Sequence, residues 1–228
     1  RFNFTFKKAS SVTVALDSSA KPAVLWIGSS EKWDKARLLR IEDKGNSFGD
    51  AQQLSRIPGN SGAGYKPTDL FVMDGKLFVY SQRGYDGPWV FDAHTGKRLK
   101  LKTPKRPPYI GNILQGDDKG NYYVVSGKGG VTRYDSALKK TSFSATPKGT
   151  IGGTGNTRTR ARGLDVDVNG NVYVLRQKLP EEKCGDSNAV AKFDSDGKEI
   201  NKNLVDSDIR SLSSVRVDPA GNIYLALG

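Results

Sequence analysis

Asp167-Val-Asn-Gly-Asn-Val-Tyr-Val-Leu175 is the stretch whose reading decides the fold. Ahead of it, Leu164, Val166 and Val168 alternate with Asp165 and Asp167, the two-residue period of a strand with one buried face. Asn169-Gly170 is a dipeptide that tolerates positive φ and closes a tight hairpin. Val172, Tyr173 and Val174 then supply the β-branched and aromatic residues that suit a second strand. The stretch therefore predicts strand, tight turn, strand.

The same phrase recurs along the chain. It reads DPAGNIYLAL from Asp218 to Leu227, DDKGNYYVV from Asp117 to Val125, and MDGKLFVY from Met73 to Tyr80. The turn glycines are Gly75, Gly120, Gly170 and Gly221, in steps of 45, 50 and 51 residues. Self-similarity at about 40–50 residues in a strand-rich chain marks the blades of a β-propeller. A third strand in each of the first four units ends in an aromatic or aliphatic residue close to an aspartate: Ile41-Glu42-Asp43, Phe91-Asp92, Tyr134-Asp135 and Phe193-Asp194. A glycine turn follows at Gly45, Gly96 and Gly197, and Ala137-Leu138-Lys139 takes its place in the third unit.

The expected fold is all-β: a single propeller segment, 1–228, of four-stranded antiparallel blades at approximately 12–59, 68–102, 112–146 and 163–205. A fifth unit, 214–228, holds only two strands. Two strands alone are marginal. The alternating Phe2-Asn3-Phe4-Thr5-Phe6 within 1–8 is a candidate closing strand, and the segment is expected to belong to a longer, six-bladed ring.

Composition agrees with this architecture. Hydrophobic residues make up 36% of the 228, and 26 glycines with 10 prolines supply the turns, which argues against a helical bundle. No apolar run approaches the roughly 18 residues of a membrane span. Cys184 is the only cysteine, so no disulfide forms within the chain and a multi-cysteine zinc site is excluded. The formal net charge of +12 favours acidic partners.

GLDVDVNGNVYVL followed by VAKFDSDGKE, and SVRVDPAGNIYLAL, resemble the NHL repeat of β-propellers. The resemblance is closest in the fourth and fifth units. It departs at Leu175-Arg176, where the family pattern has Ala-Asp, and at the insertion 177–188. It implies a propeller and leaves function open, because similar propellers act as enzymes, protein-binding modules and RNA-binding modules.

Four-stranded blades place their first hairpin turns on one face of a propeller. Their second-to-third strand loops and blade connections lie on the other. The short repeated turns read as structural. The long loops on the other face are where binding is expected: 29–35, 82–88, 127–130 and 176–188, with connections 59–67, 103–110, 147–162 and 206–213. This face holds about +7 of the net +12, mainly through Lys105, Arg106, Lys148, Arg158, Arg160 and Arg162. Trp33, Tyr65, Tyr85 and Tyr109 share these loops, with Trp89 just beyond. Arginines beside aromatic rings suit an anionic or sugar-like ligand through forked hydrogen bonds and stacking. The same composition also fits rings that seal gaps between blades under a solvated basic surface.

Other motifs carry less. Asp165-Val-Asp167-Val-Asn169-Gly170 imitates the start of a calcium loop, but Arg176 stands where the acidic twelfth ligand belongs. Gly149 to Gly155 is glycine-rich without the Lys-Ser/Thr of a phosphate loop and reads as a flexible connection. His94 is the only histidine and lies in a turn, which rules out a three-histidine metal site within the chain and counts against the lyases among NHL-like propellers. A hydrolase-type channel metal needs acidic strand ends, and only Asp69 and Asp165 offer them, with Gln115 and Arg216 in the other units. Cys184 sits among acidic residues, where its thiol gains no activation.

The sequence thus predicts a non-catalytic binding or scaffolding module that needs no cofactor or metal. Its contact residues are Arg106, Arg158, Arg160, Arg162, Tyr65, Tyr85 and Tyr109, and its partner is a protein, an anionic polymer or a glycan. Two alternatives are kept: a single-stranded RNA-binding propeller, and a hydrolase or lyase with a channel metal.

Overall fold

The computed structural model describes residues 11–30, 36–56, 67–81, 89–101, 114–117, 119–125, 130–146, 150–152, 159–178, 187–207 and 212–227. No helix occurs among them. The chain is an all-β fold of propeller blades, each an antiparallel sheet whose strands follow chain order. It divides into two compact units, Arg1–Arg106 and Pro107–Gly228.

The first unit contains two full blades. One is β1 (Ser11–Asp17), β2 (Val24–Ser30), β3 (Ala36–Glu42) and β4 (Gln52–Arg56). The other is β5 (Pro67–Met73), β6 (Lys76–Ser81), β7 (Trp89–Asp92) and β8 (Arg98–Leu99). Val24, Trp26 and Leu38 of the first sheet meet Leu70, Leu77, Val79 and Phe91 of the second in one apolar layer. The approach is close at Gly28, where a Cβ would stand 2.9 Å from Pro67 Cβ.

The second unit holds β9 (Leu114–Gly116), β10 (Tyr122–Val125), β11 (Val131–Tyr134) and β12 (Lys140–Thr141), with β13 (Thr150–Ile151) also paired to β11. The fourth blade is β14 (Thr159–Val166), β15 (Val172–Lys178), β16 (Ser187–Phe193) and β17 (Glu199–Ser207). The fifth sheet is the hairpin β18 (Leu212–Val217) and β19 (Ile223–Leu227), the two strands expected of it.

The quoted stretch explains how the blades stack. Val172 to Leu175 are all buried, which a strand covered on one face does not need. Their two-residue period splits them between two layers. Val172 and Val174 join Tyr123, Val131, Phe143 and Ile151 on the side of the third sheet. Tyr173 and Leu175 join Leu212 and Val215 on the side of the fifth. Burying each such side chain contributes roughly 1.5–3 kcal/mol, so the first four residues of β15 secure both neighbours.

Two expectations are corrected in detail. The connection 147–162 is not loop throughout, because Thr150–Ile151 and Thr159–Arg162 are strand. Short β12 pairs only with Arg133 and Tyr134, and Thr150–Ile151 takes up the remaining edge at Val131 and Thr132. In the first blade, the Asp43 N–H donates to the Ala23 carbonyl as the Ala93 N–H does to that of Gly75. Glu42, not Asp43, therefore stands where the second blade has Asp92.

Candidate functional site

The hairpin turns repeat a hydrogen-bond circuit. Asp167 Oδ1 accepts the N–H groups of Asn169 and Asn171, each at 2.9 Å, while Oδ2 accepts Asn171 Nδ2 at 2.8 Å and the Tyr173 hydroxyl at 3.1 Å. Asp117 does the same with Lys119, Asn121 and Tyr123. Asp218 repeats it with Asn222 and Tyr224. The phrase D-x-x-G-N-x-Y is thus one unit: aspartate gathers the turn, asparagine spans it, and the tyrosine six residues on ties it to the strand. Burial pushes the Asp167 carboxyl up, but the hydrogen bonds from Asn171, Tyr173 and Asn169 hold it below the usual aspartate range.

The second hairpin turn of the second, third and fourth blades is gathered in a related way. Asp92 Oδ1 accepts from the His94 and Thr95 N–H groups and the Thr95 hydroxyl, Asp135 from Ala137 and Lys139, and Asp194 from Asp196 and Lys198. His94 is exposed and enters this circuit through its backbone. Lys44, Lys97, Lys139 and Lys198 lie exposed among these carboxylates, so opposite charges are interleaved at this end of the sheets. The turn end is occupied by its own hydrogen bonds.

At the opposite sheet ends, Arg160 and Arg162 lie on β14. Arg160 pairs with Gln177, and Arg162 is the extra residue of a bulge between Ala161 and Gly163. Arg106, Arg158, Tyr65, Tyr85 and Tyr109 lie outside the described residues. Cys184, Lys105, Lys148, Trp33 and the candidate closing strand 1–8 do too.

Arg176 is a cation that the sequence marks as a departure from the repeat and from a calcium loop, without indicating a partner for it. It is buried, its Nη1 donates to Glu199 Oε1 at 3.3 Å, and its guanidinium lies 5.3 Å from the Phe193 ring centre. In register it pairs with Ala161 and Ala189. Burial pulls its pKa down and Glu199 opposes that. A Cβ on Gly152 would stand 2.7 Å from Nη2, so Gly152 packs closely against this arginine.

Two of the four residues considered for a channel metal, Asp165 and Arg216, join the fourth sheet to the fifth. Asp165 is buried and its Oδ2 accepts the Val217 N–H at 2.6 Å, joining the fourth sheet to the fifth. Arg216 Nη1 completes the clamp by donating to the Leu164 carbonyl at 3.1 Å. Asp69 is buried on β5, and Gln115 lies half-buried on β9. Among the described residues, no group of three or more His, Cys, Asp or Glu is placed to hold a metal ion. No helix among them is long and apolar enough to cross a membrane.

Burial raises the Asp165 pKa, so as pH falls the folded chain takes up this proton before the unfolded one, and the group opposes acid unfolding. Asp165→Asn keeps an acceptor for the Val217 N–H and is expected to stay within about 1 kcal/mol of the parent. Asp165→Ala strands that donor and should lose about 2 kcal/mol in urea denaturation. Equal losses from both would make the charge, not the acceptor, the requirement.

No family model matches this chain, and no curated protein matches it either.

Proposed function

We propose that this chain is a non-catalytic binding module of NHL type, whose loop end presents arginines to an anionic or glycan partner. The observation that carries the reading is the contrast between the two ends of the blades. At the turn end, the aspartates are consumed by turn hydrogen bonds and the lysines stand interleaved with them. At the other end, the run Arg158-Thr-Arg160-Ala-Arg162 leads into a paired strand, which supplies a rigid base for a basic segment. A rigid base lowers the ordering entropy that binding must overcome. The engagement of Asp165 by the Val217 N–H weighs against the metal-dependent hydrolase alternative.

Titration with dextran sulfate at several salt concentrations tests this. Arg158→Ala/Arg160→Ala/Arg162→Ala should weaken binding at least about tenfold and flatten the salt dependence, because fewer counterions are released. Lys97→Ala/Lys139→Ala/Lys198→Ala removes the same charge from the turn end and should leave affinity near that of the parent. Equal effects from the two triple variants would reduce the interaction to net charge and overturn the assignment of a face.

A further inference from the structure

The last strand of the second blade forms a basic sheet edge. Six cations and no acid stand between Asp92 and Asp117. The described ones are Lys97, Arg98 and Lys100, on and beside β8, which is paired on one side with β7. All three are exposed, and among the described residues none has a carboxylate partner. Leu101 follows them with 43% of its surface exposed, and Leu99 is half-buried. Unpaired cations and an exposed leucine therefore share one edge. Two other outer strands lack the combination. β12 has Lys139 and Lys140 without an exposed large apolar residue, and β17 exposes Ile200 and Leu204 in a run that holds Glu199, Asp206 and one cation, Lys202.

We propose that this edge docks on an anionic lipid surface, with Lys97, Arg98 and Lys100 at the headgroups and Leu101 entering the interfacial layer. The edge uses none of the loop-end arginines. A bilayer engages both kinds of side chain, since its anionic headgroups attract cations and its interface admits apolar groups. A soluble polyanion engages the cations alone and leaves Leu101 in water. Single-stranded nucleic acid is held largely by stacking on aromatic rings, and Trp89 already carries the Arg98 guanidinium over its ring at 4.2 Å. Arg98 pairs with Phe91 and Leu99 with Val90, so successive residues of β8 point to opposite faces of the sheet. A flat surface that meets the sheet edge-on is reached from both faces, because the long stems of Lys and Arg carry their charge to it.

Co-sedimentation with vesicles tests the edge, comparing phosphatidylcholine alone with an equimolar mixture of phosphatidylcholine and phosphatidylserine. The parent should bind the mixed vesicles, more weakly as salt rises, and leave the neutral ones unbound. Arg98→Gln/Lys100→Gln should lower partitioning about twentyfold, since each cation at an anionic surface contributes about fivefold. Lys100→Gln alone changes an exposed side chain with no partner among the described residues, so its loss of about fivefold guards against misfolding of the double variant. Leu101→Asn should lower partitioning about threefold with the salt dependence unchanged. Absence of binding to the mixed vesicles, or equal binding to both kinds, overturns the proposal. So does a Leu101→Asn variant that binds like the parent, which would reduce the edge to a site for soluble polyanions. Vesicle binding lost from the triple arginine variant but kept by the edge variants would overturn the edge and make the loop end the lipid site.

Discussion

Gly197→Ala should lower the stability of the second unit by about 3 kcal/mol, moving its thermal midpoint down by roughly 10 °C for a chain of this size. Two separable terms make up the loss. Gly197 has φ +85°, and an L side chain held in left-handed backbone is strained by about 1–2 kcal/mol. Its Cβ would also stand 2.6 Å from Ile151 Cγ2 and 2.7 Å from Phe143 Cβ, so a fully buried ring must move, at about 1–3 kcal/mol. Gly221→Ala isolates the first term, since Gly221 has φ +86° and nothing within 4 Å of the added carbon. It should lose only about 1 kcal/mol. Losses of the same size at both positions would show that backbone strain alone matters and that Phe143 does not lock the third sheet to the turn of the fourth.

Phe143 also shows where the sequence stops being legible. It lies between the short strands β12 and β13, outside every repeated phrase, yet it is fully buried. Arg133 sits over its ring at 4.6 Å and donates to Thr141 Oγ1, the Ser142 carbonyl and, across to the fourth sheet, the Ser195 carbonyl. Nothing local in Arg133 or Phe143 announces this pairing, because their partner on the fourth sheet lies 62 residues away from the arginine. Strands and turns were readable for the opposite reason. Period-two alternation and turn glycines are local, and each blade restates them. Leu138 is an instructive exception: it holds φ +62° where the other blades place glycine, and it is buried, so apolar packing offsets the backbone strain.

The candidate site divides along the same line. Charge counting by loop drew attention to Arg160 and Arg162 without any structural pattern behind it. Their placement on a strand is not legible in the sequence, since Thr159-Arg160-Ala161-Arg162 lacks the apolar alternation that marks a half-buried strand. Pairing with Gln177 and Lys178 makes it a strand, and those residues lack the alternation too. The buried Asp165 and Arg176 were visible as residue types only. Their partners, Val217 on another sheet and Glu199 on another strand, came from packing.

Asp167→Ala should cost about 3 kcal/mol, because it removes the acceptor from four donors at once. The decisive donor is the Tyr173 hydroxyl, whose residue is 3% exposed and has little access to water as a substitute. Asp218→Ala deletes an equivalent circuit around Tyr224, which is 57% exposed, so water replaces the lost acceptor and the loss should be clearly smaller. The pH dependence follows from the same circuit. The folded Asp167 carboxyl lies below its unfolded value of about 3.9, so its contribution is complete above that pH. It is lost as pH falls through the lower folded value, because the unfolded chain binds the proton first. Asp167→Asn cannot ionise, and its amide puts an N–H donor where Asn171 and Tyr173 also donate. It should be less stable at neutral pH and show a shallower decline between about pH 5 and pH 2 in acid-unfolding curves. A decline as steep as the parent's would assign the acid sensitivity to other carboxylates, and a parent-like midpoint at neutral pH would remove the circuit's claim to hold the turn.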